Sequence, residues 1–250
     1  MFSSTATPIA MEPVGILHRE HPNVRILFES VEHENIGNKV KIRFPSGQDV
    51  LVADRLLRLP NGLELSFGQI IALAGDFYGI PEHPIIDPSE EHDKKTTGRR
   101  KRYIAAYNTL AKAEYDGIKK ELDKILEVMA EEKRAIDAAI RNHIAPKEAY
   151  EKLGNSLVEK WDVILGGTWF LGVPVKFGRM MKLAENNHDH FLPFAKDAYL
   201  TGHELALERA REAGKVGQQK TKLRLLEEAY SIDAFACHFI TDSFSSGHLR

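Results

Sequence analysis

Two imidazoles and a carboxylate stand at metal-ligand spacing near the end of the chain, in His238-x-x-x-Asp242-x-x-x-x-x-His248. From Ala229 to Phe244 the residues are mostly Ala, Phe, Ile, Tyr and Cys, the composition of a helix buried on more than one face. Four residues apart on such a helix, His238 and Asp242 point the same way, one turn above the other. Removing the partner of a buried carboxylate costs about 3 to 5 kcal/mol, and this segment offers no Lys or Arg within helical reach of Asp242. Something cationic must therefore lie opposite it, and the segment reads as a zinc site. Ser245-Ser246-Gly247 is a helix stop that could fold His248 back.

Five of the eleven histidines fall in this last part of the chain: His188, His190, His203, His238 and His248. The single cysteine, Cys237, excludes both a thiolate-rich structural zinc site and a disulfide framework. What remains is His and carboxylate, the ligand set typical of catalytic zinc. Cys237 itself projects about 100° away from His238 on a helix and reads as a packing residue.

The run Asn187-His188-Asp189-His190-Phe191-Leu192-Pro193-Phe194-Ala195-Lys196, the following Thr201-Gly202-His203, and Ala234 through His248 resemble the zinc-dependent bacterial phospholipases C. That superfamily also contains the single-strand-specific fungal nucleases. The family's H-x-x-x-D-x-x-x-x-x-H spacing is matched without a gap, and Phe67 through Gly79 resembles its metal-binding aspartate turn at Asp76. The resemblance covers residues 63 to 79 and 181 to 250. It implies that Asp76, His190 or His188, His238 and Asp242 surround one zinc, that His248 begins a second, and that the complete enzyme holds up to three. It further implies Asp76 and Asp242 as catalytic carboxylates, Asp76 as a general base and Asp242 as a bridge between ions. Residues two apart diverge by roughly 160 to 200° on helix or strand, so only one of His188 and His190 faces the metal without an irregular backbone. His190 is preferred because it directly precedes the best-matching part.

His203 opens an amphipathic stretch and is assigned either behind the ligands or to helix packing, and not among the ligands. Phe77 and Tyr78, next to Asp76, are the nearest candidates for an aromatic wall against a choline head group. The activity implied is hydrolysis of phosphatidylcholine-type glycerophospholipids at a membrane surface. The rivals are a single-strand nuclease or nucleotidase of the same superfamily and, from another class, a non-catalytic zinc-stabilised binding protein. An HD-type phosphohydrolase, suggested by His188-Asp189, leaves the run from His238 to His248 unexplained.

Two family features lack a match. A later H-x-x-x-E or H-x-x-x-D pair is missing, since the chain stops at Arg250, and the family's N-terminal Trp and His have only His18 or His21 as substitutes. The sequence therefore reads as truncated at its C-terminus, with one well-formed zinc site.

The elements that must position these residues form a mainly α chain: a buried helical zinc-binding core of the zinc phospholipase C type with a small N-terminal antiparallel β element. Residues 1–66 form a β-rich segment, with alternation in 22–66 and turns at Pro45-Ser46-Gly47 and Pro60-Asn61-Gly62. Residues 67–250 form the helical domain. Within it, Ser66 and Gln69 make a capping-box pattern that starts a short helix ending at Gly75. Residues 80–101 read as a loop and 102–180 as a helical insertion, with one long or two shorter helices over 102–143 and more helix over 146–164. Gly166-Gly167, Gly172 and Pro174 break the pattern before the zinc-binding helices.

With 43% hydrophobic and 28% charged residues, the 250-residue chain has ample material for one core. Its formal net charge of -2 argues against a stable nucleic-acid partner, despite the basic run Arg99-Arg100-Lys101-Arg102. Residues 1–17 show neither the basic nor the apolar region of a standard secretory signal, although family members are commonly exported. No run approaches the roughly 18 to 20 apolar residues of a membrane span.

Overall fold

The computed structural model describes residues 30–89 except 46 and 48, then 95–145, 148, 152, 153 and 156–244. It is mainly helical, with three short antiparallel strand pairs. The elements are α1 (Ser30–Gly37), β1 (Lys41–Arg43), β2 (Asp49–Leu51), β3 (Leu57–Arg58), β4 (Glu64–Leu65), α2 (Phe67–Leu73), α3 (Lys95–Ala111) and α4 (Tyr115–Arg141). These are followed by α5 (Ser156–Ile164), β5 (Thr168–Phe170), β6 (Val173–Lys176), α6 (Arg179–Ala184), a 3₁₀ turn (His188–His190), α7 (Phe194–Lys215) and α8 (Gln219–Asp242).

The centre of the core is α8, which carries Ala234, Phe235, Ala236, His238 and Phe239 fully or almost fully buried. It packs along α7 on one side and against α1 and α2 on another. From α3, Tyr103 and Tyr107 set their rings edge-on to Phe235. Their hydroxyls bond the Ile232 carbonyl at 2.5 Å and Ser231 Oγ at 2.6 Å, so the polar end of each buried phenol is satisfied.

The capping box is present. Ser66 Oγ accepts from the Gln69 backbone N–H, and Gln69 Oε1 accepts from that of Ser66, both at 3.0 Å. The helix it starts stops at Ala74, and Gly75 follows at φ +68°, turning the chain so that Asp76 faces back over the helix end.

Three expectations change. The segment before residue 67 is not only β: α1 occupies residues 30–37, while β1–β2 and β3–β4 form the two hairpin pairs. The 80–101 loop ends early, because α3 already begins at Lys95. The 102–180 insertion contains two long helices, α3 and α4, but also the β5–β6 hairpin, where helix was broken without a strand being expected. His18, His21 and His248 lie outside the described residues.

Candidate metal centre

His33, Asp76, His190, His238 and Asp242 meet in one cluster, each at most 8% exposed. Four separate segments supply them: α1, the turn after α2, the 3₁₀ turn and the last two turns of α8. The core brings Asp76 against His238 because α2 packs on α8. An added Cβ at Gly75 would lie only 2.3 Å from the His238 ring and 2.9 Å from that of His190, so the turn must be bare for the two imidazoles to approach it.

His33 and His238 each have one ring nitrogen hydrogen-bonded to the protein and the other aimed at Asp242. Nδ1 of His238 lies 2.9 Å from the Ile71 carbonyl, which can only accept, so Nδ1 carries the proton and Nε2 the lone pair. That Nε2 is buried with no hydrogen-bond partner among the described residues and faces Asp242 Oδ2 at 3.4 Å. Nδ1 of His33 lies 2.7 Å from Thr241 Oγ1, whose own hydrogen goes to the Cys237 or His238 carbonyl, each at 2.9 Å. The hydroxyl therefore accepts from His33, leaving Nε2 of that ring 3.0 Å from Asp242 Oδ1.

His190 is turned the other way round. Its Nδ1 faces Asp242 Oδ2 at 2.5 Å and Asp76 Oδ1 at 3.8 Å, while its Nε2 faces Asp189 Oδ1 at 3.7 Å. Asp189 is itself held by the Ile85 backbone N–H at 2.7 Å. Imidazoles whose outer nitrogen rests on a carbonyl, hydroxyl or carboxylate, with the inner one turned toward shared carboxylates, are the usual arrangement around a metal.

The donor set fits zinc. The groups His33, His238, Asp242 and Asp76, His190, His238 each place one ligand atom per residue within 4.8 Å of the others. Ligands at about 2.0 to 2.2 Å around a tetrahedral zinc lie roughly 3.4 Å from each other, and the contacts just given straddle that spacing. His238 belongs to both groups, and Asp242 touches all three rings.

The protonation pattern without metal follows from these contacts. Burial alone would lower the pKa of His190, but the Asp242 carboxylate, joined by Asp189 and Asp76, outweighs it and lifts the value to about 9. For His33 the hydrogen bond and charge of Asp242 likewise outweigh burial and raise the pKa. His238 goes the other way, driven well below its ordinary value by burial. The two carboxylates part company. Burial, with the Asp242 charge added, pushes Asp76 up to about 7. Asp242 is equally buried, but the imidazoles against it hold it well below the usual carboxylate range. Its direct imidazole contacts account for the difference, since the nearest imidazole contact to Asp76 is 3.8 Å away.

A zinc ion bound here would displace the protons on His190 and Asp76, whose pKa values are raised to about 9 and about 7. With His33 also raised, apparent affinity should rise with pH, most steeply below about 7, and level off above about 9. Competition with a chelating dye over that range measures this, and a flat profile from pH 6 to 9 would rule out these ligands.

The remaining sequence candidates lie elsewhere. His188 is only half-buried and starts the 3₁₀ turn, and His190 is the one turned inward. His203 bonds Asp233 at 2.8 Å and stacks on Tyr199, so it joins α7 to α8 instead of backing a ligand. Phe77 and Tyr78 are fully buried. Phe77 packs edge-on to Trp161, and the Arg179 guanidinium covers the Tyr78 ring at 4.9 Å. Neither ring is exposed to a head group, because the chain turns inward immediately after Asp76. Cys237 is a packing residue, its thiol pushed up to about 12 by burial.

One member of the cluster, His33, and one residue behind it, Asp189, were not assigned a role in advance. His33 lies between Glu32 and Glu34 in a helix with no apolar stripe, and only its recurrence with Ser30 and Gly37 on one face hints at burial. Asp189 was visible only as the middle of His188-Asp189-His190.

A cleft reaches this cluster from outside, bordered by His190, Asp189, Tyr78, Ile85, Leu183 and Phe239, with neither Lys nor Arg lining it among the described residues. No protein-family model, curated protein or solved structure matches the chain significantly.

Proposed function

We propose that this chain is a zinc-dependent phosphodiester hydrolase of the phospholipase C kind. Its substrates are phosphatidylcholine-type glycerophospholipids, cleaved to diacylglycerol and a phosphorylated head group. The observation that carries the reading is the orientation of His33, His190 and His238, whose inner nitrogens all face Asp242, with Asp76 beyond His190, while the outer nitrogens of His33 and His238 are hydrogen-bonded to the protein. When bound, zinc supplies a Lewis acid for the phosphoryl oxygens and lowers the pKa of water toward about 7.

The chain's own contribution is placement and proton handling. His33, His190, His238 and Asp242 hold their ring and carboxylate planes through a packed helix and fixed hydrogen bonds. Asp76 makes the loosest contact with the imidazoles, and its carboxylate gains a proton near neutral pH, which suits Oδ1 to take a proton from an attacking water. The lining of the adjoining cleft favours a lipid over a nucleic acid. It is largely apolar, with Ile85, Leu183, Phe235 and Phe239, whereas a single-strand nuclease calls for basic groups along a groove.

The near-complete burial of all five residues also supports a second reading, a metal-stabilised protein without turnover. Zinc analysis and hydrolysis assays on one preparation separate the possibilities. The expected result is release of phosphocholine from phosphatidylcholine, lost with a chelator and restored by zinc. Cleavage of single-stranded DNA without action on lipid would favour the nuclease, and tight zinc with neither activity would favour the non-catalytic reading.

A further inference from the structure

The β5–β6 hairpin exposes a set of side chains that nothing in the fold explains. Phe170 is 69% exposed, Leu171 87%, Val173 61% and Val175 70%. The hairpin is nevertheless firmly anchored. At its root Asp162, fully buried, accepts from Trp169 Nε1 and from the Gly178 backbone N–H, both at 2.9 Å. Beyond that anchor, Arg179 Nε donates to the Phe77 carbonyl at 2.7 Å, one residue from Asp76.

The tip is a two-residue connection, Leu171 at φ +49° and Gly172 at φ +75°. Such turns need positive φ at both positions and are normally Asn-Gly or Gly-Gly. A leucine there strains the backbone and buries nothing, a combination that points to a use for the side chain outside the folded chain.

The layering of the hairpin names its partner. From the tip inward come Leu171, the pair Phe170 and Val173, the pair Trp169 and Pro174, and at the base the pair Thr168 and Lys176. Trp169 belongs to the anchor, so what the hairpin presents outward is an apolar tip above an ammonium at the base, the order of a bilayer interface, whereas a protein-binding strand is apolar on one face along its length. The charge agrees. From Val163 to Ala184 the sequence holds Lys176, Arg179 and Lys182 and no acidic residue. Arg179 is paired with Glu121, and Glu82 shares the groove at the hairpin root with the exposed Lys176 and Lys182.

We propose that the β5–β6 hairpin is a membrane-docking element, inserting Phe170 and Leu171 into the interface of a phospholipid bilayer while Lys176 and Lys182 meet its anionic head groups. Pro81 borders both the groove at the hairpin root and the cleft leading to His190, so docking sets the mouth of the cleft toward the same surface. The proposal goes beyond the reaction assigned to the buried site, because docking is read without turnover.

The test is sedimentation of the full chain with vesicles of phosphatidylcholine containing 30 mol% phosphatidylglycerol. Wild-type protein is expected to partition onto them, and Leu171→Asp to lose at least tenfold in partitioning with its zinc content unchanged. Phe170→Trp should show a blue-shifted emission on adding vesicles and quenching by brominated lipid. Leu171→Gly relieves the turn, so its Tm should rise while its partitioning falls, a divergence that misfolding could not produce. An inactive protein that still binds vesicles through the tip upholds the proposal. Equal partitioning of wild type and Leu171→Asp would overturn it, as would a hairpin-dependent dimer that ignores vesicles.

Discussion

Replacing His238 by Asn is expected to remove tightly bound zinc and phosphodiester turnover together. Asn places its amide nitrogen near the position of Nδ1, so the bond to the Ile71 carbonyl is kept, while Nε2, the atom common to both ligand groups, is gone. Loss of an outer-shell partner already costs about 10 to 100-fold in metal affinity or activity. Loss of a nitrogen that serves both groups should cost roughly three orders of magnitude or more. The comparison is His188→Asn, two residues before His190 and half-buried, which should keep its zinc and its rate. Metal analysis after dialysis and phosphocholine release on the two variants decide the matter, and a zinc-replete, active His238→Asn protein would sink the assignment.

Gly75→Ala is expected to damage the same centre without touching a ligand. At φ +68° an alanine pays roughly 1 to 2 kcal/mol for the left-handed backbone alone. Its Cβ would also lie 2.3 Å from the His238 ring, which is held in place by the bond to Ile71 and by complete burial. Overpacking of that sort adds about 1 to 3 kcal/mol. The total, roughly 2 to 5 kcal/mol, is a large share of the 5 to 15 kcal/mol that holds a typical domain together. Gly166→Ala isolates the backbone part, because Gly166 also has positive φ, +93°, but nothing within 4 Å of the added carbon. Denaturant unfolding of the two variants should show Gly75→Ala as clearly the less stable, with a matching fall in zinc content. Equal losses in both would mean that the imidazoles do not crowd the turn.

What could be read in advance was whatever local chemistry dictates. The capping box at Ser66 and Gln69, the stop at Gly75 and the shared face of His238 and Asp242 all follow from spacing within one turn of helix, and all are present. Spacing left His188 and His190 open, and only the resemblance of the run after His190 favoured the residue that is turned inward. Tertiary packing was not legible. Phe77 and Tyr78 sit beside Asp76 in sequence, but the turn that presents Asp76 drives both rings into the core against Trp161 and under Arg179. His203 found Asp233 on the neighbouring helix, a pairing across α7 and α8 that no periodicity reveals. The β5–β6 hairpin was hidden because its turn uses Leu171, a residue that announces strand interior and not reversal. His33 was hidden for the opposite reason: its neighbours are acidic and polar, so its helix resembled a solvated surface.

The helix that delivers His33 is unlike the others that build the centre. Its described part, Ser30–Gly37, has no apolar stripe and is held against the core by docking. The contact is backbone on backbone: a Cβ at Gly37 would lie 2.6 Å from the Gly68 Cα, so α1 rides directly on α2. It is also tied by the Ser30 hydroxyl to Glu132 and by His33 to Thr241 and Asp242. Such a piece can peel away as a separate foldon while α2, α7 and α8 stay packed, at a free-energy cost far below that of global unfolding. Asp76, His190 and His238 rest on the part that stays. Hydrogen exchange is therefore expected to reach the α1 side of the centre before the α8 side, a difference that would tell whether His33 or His238 is the first residue to let go of a bound ion.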